Sequence, residues 1–110
     1  MSDLPSRFRF TQKAIEALPP NPANAKSTEA EYSDTQISGL KCLVGKGEGN
    51  KKFLMRYLWH GRKRAIAIGR FPDVDLNTAR EIATEYKRLL SQGIDPKQLK
   101  EDKRQELTLD

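Results

Sequence analysis

No disulfide can form within this chain, because Cys42 is its single cysteine. A zinc cluster is equally out of reach, since His60 is the one histidine and two ligands fall short of a tetrahedral set. Cys42 is therefore expected to pack as a small apolar side chain, and no cofactor or metal is expected. No apolar run approaches the length of a membrane span, and the N-terminus lacks the apolar stretch of a signal peptide. The default is thus a cytoplasmic protein without a membrane partner. Catalytic sets are missing too. There is no Ser-His-Asp arrangement with supporting context and no pair of carboxylates in an apolar run. No activity is expected of this fragment alone.

A further absence is local. Between Gly49 and Pro72 there is no Asp or Glu, while the same span holds Lys51, Lys52, Arg56, Arg62, Lys63, Arg64 and Arg70. A segment of one sign repels itself, and that cost points to an anionic partner. Arginine suits phosphate and base edges better than lysine does. The competing explanation is an edge hairpin kept soluble by its cations. The whole chain, with a formal charge of +5 and 32% charged residues, leans the same way. Its 110 residues fit one domain, or one domain and a tail, with a modest core.

The basic span reads as a β-hairpin. Two runs rich in β-branched and aromatic residues flank His60-Gly61, a short turn ending in glycine. With that turn, Trp59 faces Arg62, Tyr57 faces Arg64, Met55 faces Ile66 and Phe53 faces Ile68. Strand alternation then puts Phe53, Met55, Tyr57, Ile66 and Ile68 on a core face. The opposite face carries Lys52, Leu54, Arg56, Leu58, Lys63, Ala65 and Ala67.

Around the hairpin the chain reads simply. Residues 1–9 form a flexible lead. Thr11 caps a short helix through about Leu18, with Phe10 and Ile15 at hydrophobic-staple spacing, and Pro19-Pro20 stops it. Ala23 to Glu31 reads as a loop and Tyr32 to Asp34 as a short extended piece. Gly39 to Val44 is the first strand, with Leu40, Cys42 and Val44 on one face and Lys41 and Leu43 on the other. Gly45 to Asn50 is a β–β connection, since it lacks the Lys-Ser/Thr ending of a phosphate-binding loop. Asp75 caps a helix from Leu76 to about Gln92, whose apolar residues recur at steps of three and four. Gly93 fits its left-handed end, with Ile94 against Leu89. The expected fold is α+β: a three-stranded antiparallel sheet packed against a C-terminal α-helix, with a short N-terminal helix. Residues 10–95 form the domain, and residues 96–110 a charged, partly helical linker. The chain has no compact stop there, as expected of a longer protein that has been cut.

As a set, Tyr32-Ser33-Asp34, Ser38-Gly39-Leu40, Phe53-Leu54-Met55-Arg56-Tyr57, Gly61-Arg62-Lys63, Ala67-Ile68-Gly69-Arg70-Phe71-Pro72, Leu76, Ala79-Arg80 and Gly93-Ile94-Asp95-Pro96 resemble a known family. They are similar to the N-terminal arm-type DNA-binding domain of prophage and genomic-island integrases, which are tyrosine recombinases. The resemblance runs from about Phe10 to Pro96. It implies a sheet packed on a C-terminal helix, with sheet residues entering the major groove of arm sites beside an attachment core. It implies core-binding and catalytic domains after Asp110, so that no catalytic residue falls on this chain. Its implied partners are double-stranded DNA, other integrase subunits and DNA-bending accessory proteins, in a nucleoid-associated bacterial setting. The sequence departs from the family pattern at Lys41-Cys42, at Leu58, where a basic residue is common, and at the Trp59-His60 turn.

The residues assign roles within that picture. A two- or three-stranded ribbon fits the major groove. Ala65 and Ala67 let the backbone approach the bases. Arg56, Lys63 and Lys41 reach base edges, and Leu58 either meets a thymine methyl or covers a sheet edge. Lys51, Lys52, Arg62, Arg64 and Arg70 hold phosphates, with His60 a turn residue close to them. The alternative class is a protein-interaction module whose basic hairpin docks an acidic partner or another subunit, using Leu43, Leu54 and Leu58 as apolar contacts. Single-stranded RNA binding ranks last, because the rings alternate inward apart from Trp59.

Overall fold

The computed structural model describes residues 6–108, with side chains described as far as residue 103. One sheet holds five strands side by side in chain order: Arg7–Phe8 (β1), Glu29–Asp34 (β2), Leu40–Gly45 (β3), Lys51–Trp59 (β4) and Arg62–Phe71 (β5). β1 runs parallel to β2, and the remaining neighbours pair antiparallel. The helices are Gln12–Ala17 (α1), Leu76–Ser91 (α2) and Pro96–Thr108 (α3).

The α+β class agrees with the sequence reading, but the sheet is five-stranded and mixed, not three-stranded and antiparallel. β2 was hidden by composition. Glu and Ala are poor strand formers, yet Ala30 and Tyr32 turn inward while Glu29 and Glu31 turn outward. β1 is two residues long, and its pairing with β2 leaves no local pattern. It takes Arg7 and Phe8 out of the expected lead, of which residues 1–5 lie outside the described residues. At the other end Pro96 is fully buried, so the expected linker begins packed on the domain. Leu107 and Leu109 lie beyond the described side chains.

All the helical packing falls on one side of the sheet. Tyr32, Leu40, Cys42, Val44, Phe53, Met55, Tyr57 and Ile66 form one cluster with Leu76, Ala79 and Ala83 of α2 and with Phe10, Ile15 and Leu18 around α1. Ala79 and Ala83, four apart, let α2 lie close on the strands. Burying one Phe or Leu is worth about 1.5–3 kcal/mol, against about 0–1 kcal/mol for an exposed ion pair. This apolar face therefore holds the domain together. Cys42 lies within it, and burial pushes its thiol up to about 12 against a smaller downward pull from Lys51.

Local chemistry fixes the helix ends as expected. Thr11 Oγ1 accepts from Ala14 N at 3.1 Å, and Asp75 Oδ1 from Thr78 N at 2.8 Å. The latter bond is the main cause that lowers the Asp75 carboxyl. α2 ends in a Schellman motif: Gly93 has φ +79°, and Ile94 N donates to Leu89 O at 2.9 Å.

The hairpin keeps its expected register from Trp59↔Arg62 to Met55↔Ile66. Beyond that it departs, because Phe53 pairs with Gly69 rather than Ile68. Ile68 is the extra residue of a β-bulge. The bulge re-phases the end of β5, turning Arg70 outward opposite Lys52 and Phe71 inward, where its ring meets Phe53 edge-on at 6.1 Å. Gly69 is required there, since a Cβ would stand 2.4 Å from Val74 Cγ2. The turn has φ +51° at His60 and +77° at Gly61. Both values suit a type I′ turn, in which asparagine is preferred to histidine at the first position.

Two buried carboxylates knit the elements. Asp34 accepts from Phe10 N at 3.0 Å and from Gln36 N and Ile37 N at 3.2 Å, with Arg80 Nε at 3.5 Å. Arg80 Nη2 also donates to Phe10 O at 2.6 Å, so α2, β2 and the chain entering α1 meet there. Asp95 caps α3 through Lys97 N at 3.1 Å, accepts from the Tyr57 hydroxyl at 2.5 Å and lies 2.9 Å from Arg64 Nη1. The Arg64 approach is a charge contact, off the line of a good hydrogen bond. Burial first, then the Asp95 hydrogen bond, push the Tyr57 phenol up to about 12.

Two outcomes follow from these geometries. His60→Asn relieves a left-handed histidine and should stabilise the domain by about 0.5–1 kcal/mol in denaturant unfolding. Tyr57 keeps its proton in the folded state above the ordinary value of 10.0, up to about 12. Its contribution is whole below that ordinary value and is lost as pH rises through the interval. Tyr57→Phe should therefore cost about 1.5–3 kcal/mol at neutral pH, the loss of a hydrogen bond to a charged group. It should also flatten the fall in stability over that alkaline interval, measured by denaturant midpoints across pH.

Candidate nucleic-acid interface

The other side of the sheet carries no helix among the described residues. Strand alternation places Lys41 and Leu43 of β3, Lys52, Leu54, Arg56 and Leu58 of β4, and Lys63, Ala65, Ala67 and Arg70 of β5 on this outer face. Cross-strand pairs set the pattern: Leu58 opposite Lys63, Arg56 opposite Ala65, Leu54 opposite Ala67. The two alanines make a low strip between long basic side chains. β3 begins opposite Met55, so β4 and β5 continue beyond it as a two-stranded ribbon. A trough opens where the ribbon leaves the sheet, lined by Gly39, Lys41, Arg56, Leu58, Lys63 and Lys87 among others. Gly39 is needed at that corner, since its φ is +94° and a Cβ would stand 2.6 Å from Arg56 O.

The structure divides the candidate residues. Lys41, Lys52, Arg56, Leu58, Lys63, Ala65 and Arg70 share the outer face. Lys51, Arg62 and Arg64, expected to hold phosphates, lie elsewhere. Lys51 pairs with Val44 and Phe71, and Arg64 with Tyr57, on the helix-bearing side. Arg64 is turned to Asp95 and is occupied there. Arg62 and His60 sit exposed at the hairpin tip, with the His60 ring edge-on to Trp59 at 4.6 Å.

β2 brings what the sequence reading missed. Glu29, Glu31 and Ser33 lie on the same outer face, and Arg7 stands opposite Ser33. Lys52 Nζ is 3.2 Å from Glu29 Oε2. Arg56 Nη2 donates to Glu31 Oε1 at 2.7 Å, and its Nε lies 3.1 Å from both carboxylate oxygens. That hydrogen bonding is the main cause that raises the Arg56 guanidinium above its ordinary value. Lys41 Nζ donates to Ser33 Oγ at 2.8 Å. The face is thus not of one sign. Among the described residues, Lys41, Lys63 and Arg70 form no ion pair. The signal for the acids was the period-two run from Glu29 to Asp34.

Both ion pairs cross β3, one on either side of Leu43, whose cross-strand neighbours are Glu31 and Lys52. Leu43 is accordingly 6% exposed despite its outward direction, whereas Leu58 is 66% exposed. The apolar patch expected of Leu43, Leu54 and Leu58 therefore lacks its β3 member. No metal-ligating cluster and no helix long and apolar enough to cross a membrane occur among the described residues.

Comparison with known proteins finds similarity along most of the chain. Prophage integrase IntZ of Escherichia coli strain K12 is 36% identical over 91 residues, which is 83% of this chain and 21% of IntZ. The putative protein IntB of the same strain is 33% identical over 48 residues, 44% of this chain and 12% of IntB. The chain thus spans about a fifth of the one relative and about an eighth of the other. The family described as Arm DNA-binding domain matches residues 10–103, nearly the whole of the packed structure, and the chain belongs to that family.

Proposed function

We propose that this chain binds double-stranded DNA at arm-type attachment sites, as the N-terminal module of a site-specific integrase. It would do so by laying the β3–β5 ribbon into the major groove. One observation carries the reading: a sheet face that bears no helix among the described residues, in which Ala65 and Ala67 form a low strip flanked by Arg56, Lys63, Lys41, Lys52 and Arg70. A β-ribbon enters the major groove, and small residues midway along its edge strand β5 let the backbone come near the base edges. Arg56, Lys63 and Lys41 are the base-reading residues of the proposal, with Leu58 against a thymine methyl. Lys52, Arg70, Arg62 and His60 lie toward the margins and tip, where phosphates run. Phosphate contacts set position and base contacts choose sequence.

The module itself carries out no chemistry in this proposal. Core-binding and catalytic domains of a tyrosine recombinase would belong to the same longer polypeptide. Sister integrase subunits and DNA-bending proteins would be its partners in the assembled complex, on the bacterial nucleoid. The alternative, a protein-docking surface, is supported by the exposure of Leu58 and weakened by the burial of Leu43.

Neutralising about three phosphates, through Lys52, Arg62 and Arg70, should make log K fall with log salt at a slope near −3. Arg56→Ala with Lys63→Ala should weaken duplex binding while leaving the thermal midpoint near that of the parent. Unchanged affinity for both attachment-region and random duplex would overturn the groove-facing assignment. Equal, weak, sequence-independent binding to duplex and heparin would favour the docking surface instead.

A further inference from the structure

A carboxylate on a surface that meets a polyanion is an expense unless it does something there. Glu31 stands on the outer face, on β2, and reaches across β3 to Arg56. Like charges brought together oppose association, so Glu31 by itself weakens attraction to phosphate. Its geometry is nonetheless specific. One carboxylate takes the Nε side of the guanidinium through three contacts of 2.7, 3.1 and 3.1 Å. The five N–H donors of arginine lie in one rigid plane. Glu31 uses the edge shared by Nε and Nη2, which leaves the outer edge, Nη1 and the second hydrogen of Nη2, unoccupied by it. That edge matches the O6 and N7 acceptors of guanine.

The support behind the carboxylate is stiff. Glu31 pairs with Leu43 in the ladder, and its neighbour Tyr32 is buried in the core. Arg56 is itself anchored by its backbone N–H to Gly39 O at 2.9 Å. Lys52 and Glu29 make the contrast. They meet through one contact of 3.2 Å, and an ammonium is a point charge with no edge to aim. The Glu29 pair neutralises, whereas the Glu31 pair orients.

We infer that Glu31 is a positioning residue that holds Arg56 edge-on to a guanine, exchanging general attraction to DNA for choice of base. The inference rests on the proposed duplex-binding function and deepens it. Glu31 contacts no DNA in this scheme and acts through Arg56.

The test uses the chain with a duplex selected from a randomised pool, a scrambled duplex, and copies of the selected site in which single guanines are replaced by 7-deazaguanine. Glu31→Ala should strengthen binding to the scrambled duplex, because a negative charge is removed. It should at the same time cut the preference for the selected duplex by roughly 5-fold or more, the lower range for a lost bidentate contact. Arg56→Lys, which keeps the charge without the fork, should lose the same preference while retaining scrambled-duplex affinity. One guanine should respond to loss of N7 in the parent and no longer respond in either variant. Glu29→Gln should strengthen binding to both duplexes alike. If Glu31→Ala strengthens both equally, or if the parent's 7-deazaguanine response persists in it, Glu31 is only a repulsive charge and the proposal fails. A parent chain that binds duplex with a salt slope but selects no sequence overturns base reading itself, while one with no duplex affinity overturns the DNA-binding function. These failures are thus separable from a failure of Glu31 alone.

Discussion

Everything in this fold depends on a period of two being kept across strands that come from distant parts of the chain. Side chains alternate between a face buried under α1, α2 and the start of α3 and a face left to solvent. A slip of one residue in any central strand would exchange its apolar and charged sets. The buried face is the stronger constraint, because each of its large side chains outweighs any of the exposed ion pairs. The charged face is held in register by its own reverse side.

The bulge at Ile68 belongs to this logic. Without it, Phe53 would stand opposite Ile68, and the residues after Gly69 would take the opposite faces. With it, Phe71 completes the core beside Phe53, and Arg70 joins Lys52 outside. One extra residue thus serves packing and surface charge together. The close approach of Gly69 to Val74 shows how tightly the segment leading into α2 is folded against that point.

Much of this was legible in the residues. The hairpin, the Thr11 and Asp75 caps, the glycine end of α2 and the outward set Lys52, Arg56, Lys63, Ala65 follow from short-range patterns that act within a turn or across one tight loop. What escaped has longer reach. β1 and β2 pair through the main chain, which leaves little trace in side-chain type. Asp34 and Asp95 look like ordinary turn and cap residues, and nothing local reveals that each is buried under contacts from other elements. The one-sign character inferred for the hairpin was true of its sequence and untrue of its surface. Glu29 and Glu31 arrive there only because β2 pairs with β3.

Asp95 has a mechanical consequence. It is at once the first turn's cap on α3 and a partner to Tyr57 and Arg64 at the free end of the ribbon. A helix of 13 residues extends about 20 Å, so α3 is a spar rooted in the hairpin rather than a loose tether. Its heading is set by the direction in which β4 and β5 point. The hairpin and α3 therefore turn as one piece, so that a load on the ribbon's tip passes directly to the helix's first turn.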